Sequence, residues 1–420
     1  MLTKIPCNSS LTSEAYRLKP TLQIVHENSF SGYHGQADQS SYSFFYKGKR
    51  FLIDPGYYRS GWSDGRTYCR SPYAHNMLLV NPSSTVLSNL VNNLNGVYRP
   101  ISAFNYYQSE TVTEEQMIED PCNRDYFQKS PDLDFLKLRL GYRNADDYSQ
   151  PLAQQNVIAR LSRSFIRDDD LFVVYDDVES IDDENLYDYW NLLHFGVSYS
   201  SVTDVVLTGN VFSVKQGYGS DCEYIDIACG SFSPNYSLNL DASLSLPNDG
   251  NLGYSNHIQG KQVAVGVQNP GFLTIISPRY DSASRVILTQ TEEEASFCTV
   301  ISGISRTDPT INTVTYIGST NGEDQEIDLS DATIETNGRL FVTTKYVTAN
   351  PIALDRSMVL LDGDYLRAND TALFEMFNGE VQGVTSTYKG DELAVVFHGA
   401  AISFPRFKIY RSGADPSQFS

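Results

Sequence analysis

Positive charge is scarce in this chain. Its 420 residues carry 31 Lys and Arg against 51 Asp and Glu, a formal charge of −20. Non-specific nucleic-acid binding and docking on anionic membranes both need clustered Lys and Arg, so neither is expected as a main function. Long apolar runs are missing too. Nothing approaches the ~18–20 residues a helix needs to cross a bilayer. The opening MLTKIPCNSSLTSEAYRLKP holds no apolar stretch of the kind a secretory signal requires. The sequence thus predicts a soluble protein with no nucleic-acid or membrane partner. The Asn-x-Ser/Thr triplets at Asn8, Asn235 and Asn369 are then read as chance.

Cysteine is sparse as well. Cys7, Cys69, Cys122, Cys222, Cys229 and Cys298 are too scattered for a disulfide framework, and none forms a CxxC pair. Cys222 and Cys229 are spaced to face each other across a hairpin, with reduced thiols the expected state. There is no Walker loop, no GxGxxG and no GxSxG, which removes the nucleotide-binding and serine-hydrolase readings.

What is present is apolar and aromatic. The chain is 41% hydrophobic and 20% charged, enough to bury a core, and it carries 28 Tyr and 21 Phe against two Trp. Tyr and Phe favour pleated, half-buried surfaces. Tyr42–Tyr46, the turn Lys47-Gly48-Lys49 and Arg50–Ile53 read as one hairpin. Val157–Ile166, the turn Asp168–Asp170 and Leu171–Val178 read as another, with Val173, Val174 and Val178 alternating imperfectly with polar positions. Further strands are expected at Met77–Val80, Val202–Leu207, Gln262–Val267, Phe272–Ser277, Ser284–Thr289, Leu340–Tyr346, Met358–Leu361 and Leu393–Phe397. Helical patterns are few, with short turns at Glu114–Ile118 and Ser130–Leu138.

The fold class is therefore all-β: a large, supersandwich-like antiparallel β-sandwich followed by a smaller antiparallel β unit. The expected division is an N-terminal arm at 1–28, a sandwich domain at 29–290, a smaller sheet domain at 291–412 and a tail at 413–420. A polar, aromatic insertion interrupts the sandwich at Pro100–Gln155.

The chemistry concentrates between Phe30 and Asn81. Two of the six histidines, His34 and His75, lie here, with Asp54 between them at a strand end before Pro55-Gly56. His, Asp and His on successive strands suit an oxygen/nitrogen metal site; they equally suit a buried hydrogen-bonded cluster. Tyr33, Tyr57, Tyr58, Tyr68 and Tyr73 supply phenols for acid/base work, against the plainer reading that they pack on the sheet with wet hydroxyls. Acidic runs at Asp168–Asp170, Asp176-Asp177 and Asp182–Glu184 lack calcium-loop spacing and read as solvated turns. His194, in LLHFG, reads as packed inside a strand. For His26, His257 and His398 no partner can be read from the sequence.

Taken in order, these pieces resemble the β-sheet domain of the heparinase II/III-like polysaccharide lyases. The resemblance rests on His34-Gly35-Gln36-Ala37-Asp38, Ser43-Phe44, Lys47-Gly48, Asp54-Pro55-Gly56, Arg66, Arg70 and Ala74-His75-Asn76. Arg160–Val178 and Leu192–Phe195 look like that family's next hairpin and strand. The resemblance implies β-elimination on uronate-containing glycans, an acidic-polysaccharide partner and one divalent metal, zinc or calcium. It places His34 in proton transfer, with Tyr33 and Tyr58 as candidate phenols. Arg59, Arg66, Arg70 and Asn76 become substrate contacts, and Gln36, Asp54 and His75 the metal positions. Gln36 departs from the family's His, and a neutral amide is a poor zinc ligand, better suited to a harder ion. The family's helical α/α-toroid, which precedes the sheet domain, is not expected here. The competing expectations are thus a lyase, or the sheet half of one split from a toroid chain, and a non-catalytic glycan-binding or structural module of a surface or virion assembly.

Overall fold

The computed structural model describes residues 2–6, 20–25, 40–54, 72–82, 99–100, 123–129, 133–143, 157–168, 171–181, 185–195, 202–245, 256–279, 287–293, 295–304, 312–330, 332–347, 354–369, 371–378, 382–389, 392–399 and 406–409. Among them every strand pairs antiparallel, and the helical structure is one 3-10 turn at Pro72–Ala74. No helix among the described residues is long and apolar enough to cross a membrane.

The strands form four sheets. The first runs Leu2–Pro6, Thr21–Val25, Tyr42–Tyr46, Lys49–Leu52, Tyr187–Phe195, Asn256–Val267, Tyr236–Ser245, with Leu78–Val80 also paired to Tyr187–Phe195. The second runs Val202–Thr208, Val211–Tyr218, Asp221–Gly230, Gly271–Pro278, Leu171–Ser180, Val157–Asp168, Leu133–Arg143, Arg99–Pro100, with Asn123–Lys129 on Leu133–Arg143. The third runs Ile287–Glu293, Ser296–Ile304, Asn312–Thr320, Leu340–Val347, Leu354–Leu361, Gly383–Lys389, Glu392–His398. The fourth runs Gln325–Asp328, Thr333–Thr336, Tyr365–Ala368, Thr371–Asn378, Arg406–Ile409.

Three cores glue these sheets into a stack. Phe44, Leu78 and Tyr189 of the first sheet pack with Leu138, Phe165 and Phe172 of the second. The second sheet's other face sends Phe135, Ile166 and Val173 against Phe297, Ile317 and Val342 of the third. Val300, Phe341 and Leu360 of the third then meet Ile334, Leu366 and Phe374 of the fourth. The second sheet is thus covered on both faces, which explains the run Phe172-Val173-Val174-Tyr175. Phe172 and Val174 enter the first core while Val173 and Tyr175 enter the second. A strand buried on both sides must be apolar at consecutive positions, and its alternation fades for that reason. Gly230 lets the layers approach: a Cβ there would lie 2.1 Å from the Phe297 ring.

The Tyr42–Tyr46 and Lys49–Leu52 hairpin forms as expected, its turn residues Lys47 and Gly48 both at positive φ (46° and 75°). That is the turn whose twist matches the flanking strands. The segment read as an insertion instead contributes Asn123–Lys129 and the 11-residue strand Leu133–Arg143 to the second sheet. The turn expected at Ser130–Leu138 is corrected accordingly, because Leu133 and Phe135 feed one core while Leu136, Leu138 and Leu140 feed the other. Glu114–Ile118 lies outside the described residues. Cys222 and Cys229 share the Asp221–Gly230 strand rather than facing across a hairpin, and both are free thiols.

The acidic runs are not all solvated turns. Asp176 is buried opposite its cross-strand neighbour Arg163. Arg163 Nε and Nη2 donate to its two carboxylate oxygens at 2.5 and 2.7 Å. Asn191 Nδ2 donates to Asp176 Oδ2 at 2.9 Å, and Arg163 Nη2 reaches Asn191 Oδ1 at 3.3 Å. Burial alone would lower the guanidinium's pKa, but the Asp176 charge and bonds outweigh it, and the pKa is raised. Asp177, one residue on, projects to the opposite face and takes Arg339 Nη2 and Nε at 2.6 and 2.9 Å. Asp169, Asp170 and Asp182–Glu184 lie outside the described residues.

Two expectations follow for stability. Arg163→Ala should cost about 3–5 kcal/mol in urea unfolding, because it strands a buried carboxylate, whereas Arg163→Met with Asp176→Leu should recover only the part due to that carboxylate, since the Ser40 and Asn76 carbonyls stay unpaired. His398 is buried, its ring 4.9 Å from Phe135, and burial, then the Lys137 charge, lowers its pKa from 6.5 to about 4. The unfolded chain therefore takes up this proton first as the pH falls, so the folded state loses stability through that window. Comparing urea midpoints at neutral and mildly acidic pH should show that loss in the parent and a smaller one in His398→Phe.

Candidate functional site

Along the Tyr187–Phe195 edge, two short strands lie end to end. Lys49–Leu52 pairs through Leu52 with Phe195, and Leu78–Val80 pairs with Asn191, Trp190 and Tyr189. Between them the ladder is broken, and its backbone groups need other partners. The Ile53 N–H donates to the His194 carbonyl and Leu192 N–H to the Met77 carbonyl, both at 2.9 Å. The remaining N–H, that of His194, donates to Asn76 Oδ1 at 2.6 Å. The Asn76 amide nitrogen donates to the Tyr42 and Ile53 carbonyls at 2.6 and 3.0 Å. Asn76 is thus a side-chain rung that closes the gap between strands.

The candidate residues flank this rung. Asp54 directly follows Ile53, and His75 directly precedes Asn76 after the Pro72–Ala74 turn. His75 Nδ1 donates to Asp54 Oδ2 at 2.8 Å, with the imidazole fully buried and the carboxylate 23% exposed. A carboxylate on Nδ1 sets the tautomer and orientation of the ring. From behind, Arg163 Nη1 donates to the Asn76 and Ser40 carbonyls at 2.9 and 3.0 Å. The second sheet therefore fixes the loop that carries His75. Tyr42 lies beneath, its ring 5.5 Å from the Arg163 guanidinium, and burial raises its hydroxyl pKa well above the usual range. Tyr42 is no acid/base candidate.

The structure brings Asp54, His75 and Asn76 together, and it corrects the expected role of Asn76. Its side chain is buried and bonded to three backbone groups, so it positions the chain instead of touching substrate. Tyr73 is buried at 1% exposure, in keeping with the packing reading, and His194 is buried within its strand. His34, Tyr33, Gln36, Tyr57, Tyr58, Arg59, Arg66, Tyr68 and Arg70 lie outside the described residues. Sequence reasoning missed Arg163, whose place in a long apolar strand facing Asp176 was the available signal.

A tightly held divalent ion needs three or more protein donors. Among the described residues no three His, Cys, Asp or Glu side chains gather to hold one. Asp54 and His75 supply two donors, already hydrogen-bonded to each other, so the described residues do not by themselves fit the metal that the resemblance implies.

No curated protein matches the chain. Similar solved structures include a heparinase III given as the BT4657 gene product, at 14% identity and a TM-score of 0.42, covering 67% of this chain and 37% of that one. The heparan sulfate lyase HepC from Pedobacter heparinus is similar at 15% identity and a TM-score of 0.42, covering 67% and 38%. The matched part thus spans well under two thirds of those proteins. Residues 24–120 match the family described as "Heparinase II/III-like, C-terminal". That stretch, which contains both Asp54 and His75, is similar to the family whose motifs the sequence resembles.

Proposed function

We propose that this chain is the β-sheet part of a polysaccharide lyase that cleaves uronate-containing glycans by β-elimination. The observation that carries the reading is the family match over 24–120, with the Asp54–His75 pair held inside it at the break in the first sheet. Elimination needs a cationic or hydrogen-bonding group to neutralise the uronate carboxylate, a base for the C5 proton and an acid for the departing glycosidic oxygen. His34 is assigned to proton transfer, with Tyr33 and Tyr58 as the candidate phenols. Arg59, Arg66 and Arg70 are assigned to the carboxylate, since a guanidinium can bind it through two parallel bonds. On a chain of net charge −20 such a concentration of Arg is what would admit a polyanion. An acidic polysaccharide is the partner this reading calls for, and a helical toroid or a larger assembly would extend the cleft that holds it.

A second reading has its own support. The buried polar groups at the break are bonded to each other and to backbone, which is what a structural cluster requires. On that reading the chain is a glycan-binding or structural module.

The test is incubation with heparan sulfate, alginate and other uronans while following the ultraviolet absorbance of the unsaturated uronate product. Product should form, and His34→Ala should lower turnover by about 10²–10⁴-fold with circular dichroism unchanged. Arg70→Ala should instead raise KM in a salt-dependent way. Absence of product on every uronan would overturn the lyase reading in favour of the second.

A further inference from the structure

Two carboxylates of the acidic runs meet a guanidinium in the fold, Asp176 with Arg163 and Asp177 with Arg339. Asp168 does not. It stands two positions beyond Ile166, on the face of the second sheet that meets the third, and it is 2% exposed. Its Oδ2 accepts from Thr344 Oγ1 at 2.5 Å and from Ser357 Oγ at 2.7 Å. The hydroxyls of Thr315 and Thr344 are 2.9 Å apart. Thr344 has one proton and spends it on Asp168, so Thr315 must be the donor in that second bond. Three hydroxyls therefore orient toward one carboxylate, two directly and one by relay. That is a setting for a negative charge.

Asp168 Oδ1 nevertheless lies buried with no hydrogen-bond partner. No ion pair among the described residues includes Asp168. A carboxylate removed from water without a counter-charge is strongly unfavourable. We propose that the seam between the second and third sheets binds a monovalent alkali cation at Asp168 Oδ1, in the hydroxyl-lined setting that Thr315, Thr344 and Ser357 make around this carboxylate. The donors are all oxygen, which suits a hard cation and offers nothing to a thiolate- or imidazole-seeking metal. One carboxylate balances one positive charge, whereas a divalent ion would leave a net charge buried. This site is separate from the Asp54–His75 pair, which belongs to the first sheet.

The test compares thermal unfolding of the parent in potassium, sodium and choline chloride at equal ionic strength. A cation bound only by the folded state raises Tm, so the alkali salts should give a midpoint higher than choline by about 2 °C or more. Asp168→Asn, nearly isosteric and uncharged, should give the same midpoint in all three salts. Should that variant fail to fold, Thr315→Val keeps both bonds to Asp168 and removes one hydroxyl from the setting around it, and it should shrink the alkali shift. Crystals of the parent soaked in rubidium chloride should show anomalous density beside Asp168 Oδ1. Equal midpoints in the three salts with no rubidium density would overturn the proposal, leaving a water at Oδ1. A shift produced by calcium in choline, but not by either alkali salt, would overturn it as well.

Discussion

The Arg163–Asp176 pair is the constraint on which the arrangement around the candidate site depends. A guanidinium with no exposure cannot be left with open donors, and here it makes five hydrogen bonds. Two go to the carboxylate of its own hairpin, one to Asn191 of the first sheet, and two to the carbonyls of Ser40 and Asn76. The last two matter most. Ser40 precedes the Tyr42–Tyr46 strand and Asn76 precedes Leu78–Val80, so one side chain sets where both re-enter the first sheet. An apolar residue of similar volume would pack there but would leave the two carbonyls unsatisfied, which explains a costly charge in this position.

From that anchor the site follows by short steps. Asn76, fixed through its carbonyl, turns its amide into the gap of the first sheet and satisfies one donor and two acceptors. His75 and Ile53 are then held at opposite sides of that amide, which brings Asp54 within a hydrogen bond of the imidazole. The pair is therefore as rigid as the sandwich behind it. Preorganisation of this kind is what a positioned acid/base or ligand site needs, and it is equally what makes a stable internal staple.

Much of this was legible in the sequence, for stated reasons. The Lys47-Gly48 turn could be read because positive φ at both positions selects few residues. Asp54 and His75 could be paired because motif order carried them, not because spacing alone did. The role of Asn76 could not be read: a family motif marks a residue as constrained without saying whether the constraint is substrate or backbone. Leu133–Arg143 was misread because both of its faces are buried, so its apolar positions fall on neither a clean period of two nor one of 3.6. The same double burial made Asp176 and Asp177 look like one solvated acidic turn.

Double burial also explains how the polar residues are matched. In a sheet with cores on both sides, successive residues belong to different interiors, so neighbouring acids need different partners. Asp176 enters the core shared with the first sheet and is met within its own sheet by Arg163. Asp177 faces the third sheet and is met across the seam by Arg339, 162 positions along the chain. Lys137 crosses the same seam to Asp362 at 3.5 Å. Asp168, at the other end of that seam, is met by hydroxyls alone. An interface of apolar side chains alone would tolerate sliding of one sheet over another, since dispersion contacts are non-directional. Charged and hydroxyl pairs at both ends of the seam remove that freedom, because sliding one sheet over the other would break these directional bonds. The register of the third sheet on the second is thus specified by a few buried polar contacts, and its cohesion by the apolar residues between them.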